Sequence, residues 1–219
     1  MAEINLLRSY PKAKRNLEKR QQAKTSESIA IARQYGREYF DGPRDVGYGG
    51  YRYDGRWLPI ARDIVAHYGL KPGNRVLDIG CAKGFLVKDM MIACPGLEVF
   101  GIDVSEYAVL NCEPEVVGRL HIGSCDQLPF PDASFDALLS INTLHNMDRE
   151  GCLESLGEMK RVCKGNRMYV QVDSYRTPEE RDLFLSWVLT ARFHDYPEGW
   201  RALFAEAGYD GDYYWTIIE

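Results

Sequence analysis

The sequence predicts an α/β protein, a three-layer sandwich with helices on both faces of a mostly parallel central sheet. Three observations carry that expectation. Two β-branched and aliphatic runs, 75–79 and 97–102, read as buried strands. The first ends in the small-residue turn Gly80-Cys81-Ala82-Lys83-Gly84 and opens into a helical segment, while the second ends in the carboxylate Asp103. Strand-like and helix-like segments then alternate to the end of the chain, the order of a sheet with helical crossovers.

Residues 1–24 are dense in Lys and Arg (Arg8, Lys12, Lys14, Arg15, Lys19, Arg20, Lys24) and predict a solvated, partly mobile helix or arm; an arm that caps a site or meets an acidic partner is the sharper alternative. Helical spacing over 26–40 puts Ile31, Tyr35 and Tyr39 on one face, and Asp41-Gly42-Pro43 stops that helix. Residues 44–57 form a glycine-rich loop whose Tyr48, Tyr51, Tyr53 and Trp57 have apolar bodies with polar tips, so the loop packs on the domain, covers a ligand, or does both. A helix over 58–69 ends at Gly69, and Pro72-Gly73-Asn74 turns into the strand 75–79. There follow a helix at 84–93, the strand 97–102, a short helix capped by Ser105, and strands at 119–123 and 135–141. A helix at 149–163, a strand at 167–173, a helix from Pro178 to about 192, a helix at 197–207 ended by Gly208 and a strand at 212–218 complete the chain. Two segments are expected: an N-terminal helical arm and aromatic segment over 1–57, and a ligand-binding domain over 58–219.

A chain of 219 residues is long enough to bury a full core. No stretch reaches membrane-spanning apolar length, and no apolar run precedes a leader cleavage site, so neither a membrane nor a secretory route is expected. The six cysteines are scattered without Cys-x-x-Cys pairs, against a metal site or disulfide scaffold and in keeping with a reducing cytoplasm. A net charge of −5 gives no general affinity for nucleic acid.

The turn has the spacing Asp78-x-Gly80-x-Ala82-x-Gly84, and Asp103 follows 19 residues after Gly84, which suits one helix and one strand. Small residues let the backbone approach a ligand and the acid can take ribose hydroxyls, so an adenosine-containing ligand is expected. The nicotinamide fingerprint fails, because its second and third glycine positions hold Ala82 and Phe85. A tight strand-to-helix turn with no ligand would account for the glycines, but not for Asp103 or the Leu128–Phe130 loop.

The spacing resembles the first motif of the class I S-adenosylmethionine-dependent methyltransferases, usually acid-x-Gly-x-Gly-x-Gly, with alanine here at the middle glycine. Residues 123–136, Gly-Ser-Cys-Asp-Gln-Leu-Pro-Phe-Pro-Asp-Ala-Ser-Phe-Asp, resemble the adenine loop of the small-molecule members, and 137–148 resemble their fourth strand and active-site loop. The resemblance covers about residues 60–219 and implies a Rossmann-like fold. A typical member ends in an antiparallel hairpin, whereas a single strand follows the last helix here, so the strand order at that edge is open.

The resemblance implies S-adenosylmethionine as cofactor, with Asp78, Gly80, Cys81 and Gly84 at its methionine portion, Asp103 at the ribose, Ser124, Cys125 and Asp126 at adenine, Asn142 near the ammonium group, and Val104 also among the cofactor-binding residues. It implies methyl transfer to an oxygen or nitrogen of a small polar metabolite, a sugar or natural-product intermediate being favoured. His145 is the candidate base, since imidazole titrates near working pH. Asn146, Asp173 and Tyr175 are candidate acceptor ligands, and the resemblance assigns the aromatic segment of 1–57 to a lid, with Tyr48, Tyr51, Tyr53 and Trp57 as a cover. His67, His121 and His194 fall at element ends away from the site. A homodimer is compatible with these features. Two other readings stay open: an RNA or protein methyltransferase using the basic arm, and a cofactor-binding protein without turnover.

Overall fold

The computed structural model describes residues 1–11 and 17–218, with 17–19 described by their backbone alone. Its strands are β1 (Arg75–Ile79), β2 (Glu98–Asp103), β3 (Leu120–Ile122), β4 (Ala137–Ile141), β5 (Met168–Asp173) and β6 (Asp212–Thr216). Its helices are α1 (Leu17–Ala23), α2 (Ser26–Ala32), α3 (Arg37–Asp41), α4 (Leu58–Tyr68), α5 (Phe85–Ala93), α6 (Glu106–Leu110), α7 (Arg149–Val162), α8 (Pro178–Trp187) and α9 (Pro197–Glu206). The strands form one sheet in the order β3-β2-β1-β4-β5-β6, and every pairing is parallel.

Strand residues alternate between two cores because successive side chains point to opposite faces. Leu77, Ile79, Leu138, Val170 and Val172 pack under α7 and α9, with Leu156, Met159, Trp200 and Phe204. Val76, Leu139 and Tyr169 pack on the other face, under α4 and α5, with Ile60, Ile64, Leu86 and Met90. The same parity sends two polar residues, Asp78 and Gln171, to the α4 face. Strand order reverses between β1 and β4, so the ligand crevice of such a sheet opens above their carboxyl ends.

The open sheet edge resolves simply. β6 pairs with β5 in parallel, from Tyr169 opposite Asp212 to Asp173 opposite Thr216. Beyond β6 the N-terminus adds a short strand-like contact: Ile4 N–H donates to the Tyr213 carbonyl at 2.9 Å, and Tyr213 N–H donates to the Ala2 carbonyl at 3.0 Å.

Three local expectations are corrected. The helix expected over 26–40 is two helices, because Tyr35 turns into the left-handed region at φ 49° and its carbonyl accepts the Ser105 hydroxyl. The helix expected to reach 192 ends at Trp187, since the 188–193 segment is captured by His145, whose carbonyl accepts the N–H groups of Arg192 and Phe193. The arm expected to be solvated is packed in part, while Arg8 keeps its side chain 72% exposed beside Asp63. Leu6 is buried, Arg20 Nη1 donates to the carbonyls of Arg44 and Asp45 at 2.9 Å each, and Lys24 Nζ donates to the Leu185 carbonyl. Lys12, Lys14 and Arg15 lie outside the described residues. No helix among the described residues is long and apolar enough to cross a membrane.

Candidate active site

The turn after β1 owes its shape to a few close contacts. A Cβ on Gly80 would fall 1.9 Å from Thr143 Oγ1, so only glycine fits against the loop after β4. Ala82 occupies the left-handed region at φ 49°, which costs an alanine about 1–2 kcal/mol. Its N–H donates to Asp103 Oδ2 at 2.7 Å, and Ser105 N–H donates to the other oxygen at 2.8 Å. Asp103 therefore ties the ends of β1 and β2 together while lining the crevice between them. Burial raises its carboxyl pKa, against the two backbone donors.

Two cavities open above the sheet. The first, about 330 Å³, is floored by Ile79, Gly80, Ala82, Ile102, Asp103, Val104, Gly123, Ser124 and Cys125 and walled by Asn142, Thr143, Asn146 and Met147. Arg33, Gln34, Tyr35, Tyr39, Phe40 and Tyr48 from the N-terminal segment, and Arg192, close it over. The second, about 640 Å³, has Asp78, Gly80, Cys81, Gln171 and Thr216 among its lining, with Arg176. Asn5, Leu7, Tyr10, Pro11, Tyr48, Tyr51 and Trp57 enclose it. The cavities share Tyr48, Gly80, Ala82, Asn142 and Thr143.

The second cavity holds a buried carboxylate beside a hydrogen-bonded floor. Asp78 is 5% exposed, and burial together with the Asp103 charge pushes it up to about 7. Among the described residues no donor or cation reaches its oxygens. On the floor, Tyr169 Oη donates to Gln171 Oε1 at 2.8 Å, Gln171 Nε2 to Thr216 Oγ1 at 2.9 Å, and Thr216 Oγ1 to Asn142 Oδ1 at 2.7 Å. This chain holds Asn142 in the left-handed region at φ 54°, which asparagine tolerates.

Of the residues expected at the site, Tyr48, Tyr51, Trp57, Asp78, Gly80, Cys81, Asp103, Val104, Ser124, Cys125, Asn142 and Asn146 line the cavities. Six do not. His145, expected as the base, is 3% exposed, its Nδ1 accepts the Asp173 N–H at 2.9 Å, and its Nε2 faces Asp173 Oδ2 at 3.4 Å. With that lone pair committed and the ring enclosed, it has no proton to take from an acceptor. Burial lowers its pKa against the pull of Asp173, so it stays neutral. Asp173 turns to that ring and away from the cavities. Tyr175 packs on Phe184 with its hydroxyl 3.0 Å from His194 Nδ1, and Tyr53 Oη donates to Asp89 Oδ1 at 2.6 Å. Gly84 caps α5 at φ 77°, where a Cβ would strike Val116 at 2.7 Å; its role is packing. Asp126 lies outside both linings.

Sequence reasoning missed Arg33, Gln34, Phe40, Thr143, Arg192, Gln171 and Thr216. Gln171 left a trace: a glutamine inside the apolar run Met168-Tyr-Val-Gln-Val. The arginines left none, because they arrive from remote segments.

The arrangement fits S-adenosylmethionine. An unpartnered buried carboxylate suits a ligand ammonium group, the Gly80 turn is a cradle that a Cβ would fill, and Asp103 stands at the ribose position of a β2 end. Residues 77–170 match the family model described as a methyltransferase domain. The chain is 33% identical to a sterol 24-C-methyltransferase of Gibberella zeae, over 46% of this chain and 28% of that protein. It is 27% identical to the demethylmenaquinone methyltransferase of Symbiobacterium thermophilum, over 55% of this chain and 50% of that protein. It thus spans half or less of the length of these relatives. A SAM dependent methyltransferase from Archaeoglobus fulgidus shares the fold, at TM-score 0.56 and 19% identity over 69% of this chain and 68% of that one. Residues 77–170 thus match a methyltransferase domain, and the sheet around them has the fold of this methyltransferase.

Proposed function

We propose that the protein methylates a small polar acceptor held in the second cavity, beside a cofactor that extends from the first. The observation that carries this is the meeting of the two cavities at Gly80, Ala82, Asn142 and Thr143. A space of about 640 Å³ suits a small molecule rather than a polymer. Its floor of Gln171, Thr216 and Asn142 suits hydroxyl and carbonyl groups. The sterol and menaquinone relatives act on apolar compounds by name, and this polar floor favours a different acceptor.

In this reading Asp78 pairs with the cofactor ammonium, Asp103 accepts the ribose hydroxyls, and Ser124 and Cys125 border the adenine. When bound, S-adenosylmethionine supplies a methyl group on an electron-poor sulfonium, open to in-line displacement. The protein's own residues align and exclude water. Gly80 gives the backbone its close approach, and the Gln171–Thr216–Asn142 chain holds the loop beside it. Tyr48, Tyr51 and Trp57 act as a lid. His145 is a positioning residue that clips the loop after β4 to the end of β5. Arg20 and Lys24 of the arm donate to carbonyls of the protein itself, which supports a small molecule over RNA.

The test is methyl-labelled S-adenosylmethionine with purified protein and a cell extract separated by size. Label in the small-molecule fraction supports the reading; label in RNA or protein overturns it.

A further inference from the structure

The second cavity is poor in groups that could take a proton. Among the described residues its charged lining consists of Asp78 and Arg176. Asp78 belongs to the cofactor in the reading above, on which this inference rests. The Tyr51 hydroxyl and the Cys81 thiol are both pushed well above their ordinary pKa by burial, so neither is an anion at neutral pH. His145 is walled off behind Asp173. A hydroxyl acceptor needs a base to remove its proton, and an ammonium acceptor would need one too.

Arg176 stands at the mouth of this cavity, just before the first turn of α8, with its side chain 56% exposed. It is oriented rather than loose. Glu180 accepts from its Nε at 3.1 Å and also from its Nη2, and the Arg176 backbone N–H donates to Glu180 Oε2 at 2.6 Å. A guanidinium carries five N–H donors in a planar fork that matches a carboxylate.

We infer that the acceptor group is a carboxylate, steered by Arg176 and methylated on oxygen to give a methyl ester. Such a nucleophile reacts as it exists at neutral pH and needs no base. A lone pair on the carboxylate oxygen forms the O–CH₃ bond while the S–CH₃ bond breaks and its electron pair passes to sulfur. One anion and one sulfonium cation become a neutral ester and a neutral thioether, and no proton moves. Mutual loss of charge is favoured where the lining lowers the local dielectric below that of bulk water.

The test uses the full chain, methyl-labelled S-adenosylmethionine and the small-molecule fraction of a cell extract, with unreacted donor separated chromatographically against a standard of the donor. Mild alkali cleaves a methyl ester and releases labelled methanol, which is collected as vapour; N-methyl and ether products keep their label. The expected result is alkali-labile label. Arg176→Gln should raise the extract concentration needed for half-maximal labelling at least tenfold, Arg176→Lys should raise it less, and equilibrium dialysis should find S-adenosylmethionine affinity within twofold of wild type. Alkali-stable label overturns the carboxylate alone. Weakened donor affinity in Arg176→Gln with an unchanged extract requirement assigns Arg176 to the cofactor and also overturns it. Absence of label from the small molecules overturns the proposed function and this inference together.

Discussion

Lys83 Nζ lies 2.6 Å from Asp41 Oδ2, so the turn after β1 is ion-paired to the end of α3. The same carboxylate accepts the Tyr107 hydroxyl at 2.7 Å and the Tyr51 N–H at 3.1 Å, and Lys83 also donates to the Tyr51 carbonyl at 3.2 Å. One acid therefore gathers α3, the Tyr51 backbone, the turn after β1 and α6. Burial alone would raise the Asp41 carboxyl, but hydrogen bonds from Lys83 and Tyr107 outweigh it and hold its pKa below the ordinary carboxylate value. A depressed carboxyl pKa stabilises above the unfolded value and is lost as pH falls through the folded one. Lys83→Met should cost about 1–3 kcal/mol of stability and speed protease cleavage near Gly49-Gly50. The latch should also loosen in acid in the wild type only. Limited proteolysis at neutral and acid pH checks both, and equal rates for the two proteins would remove the latch.

Asp78 carries the opposite shift. Its folded pKa of about 7 lies above the unfolded value, so its contribution to stability is present in acid and is lost as pH rises toward 7 in the cofactor-free protein. Binding a cation runs the other way, because the ammonium partner needs the ionised acid. Affinity for S-adenosylmethionine should rise with pH up to about 7 and then level. Asp78→Asn should bind at least tenfold more weakly, with a flat pH profile, by calorimetric titration across that range.

Asp103→Ala should weaken cofactor binding at least tenfold, the loss of charged hydrogen bonds worth about 1.5–3 kcal/mol. It should also lower the melting temperature without ligand, because Ala82 and Ser105 lose their acceptor. Unchanged affinity alongside a lowered melting temperature would reduce the residue to a strut of the turn.

His145→Ala should act on stability. The variant strands the Asp173 N–H, and a loss of about 1–3 kcal/mol lowers the melting temperature by roughly 2–4 °C per kcal/mol in a chain of this size. In the wild type a histidine pKa depressed by burial stabilises above the unfolded value, and this contribution is lost as pH falls through the lower folded one. The pH profile of turnover should keep its shape in His145→Ala. Disappearance of one limb of that profile would return the base role to His145.

Much of the fold was legible because its signals are local. The run 75–79, the turn to Gly84 and the helix behind it are neighbours in the chain, and each constrains the next through backbone geometry. The helix over 26–40 misread for the opposite reason. Its periodicity is helical throughout, but a hydrogen bond from Ser105, 70 residues away, holds the Tyr35 carbonyl in a turn.

The sequence by itself determined the strand-turn-helix unit and that Asp78, Gly80 and Asp103 lie at the strand ends where the cavities open. Close backbone approach and strand parity are properties of consecutive residues. Only the tertiary structure decided that His145 is sealed against Asp173, that Asp41 reaches Lys83, and that Gln171, Thr216 and Asn142 join into one floor. Those contacts join residues from 28 to 74 positions apart, and whether a side chain faces a cavity or a neighbouring strand depends on packing that no local pattern encodes.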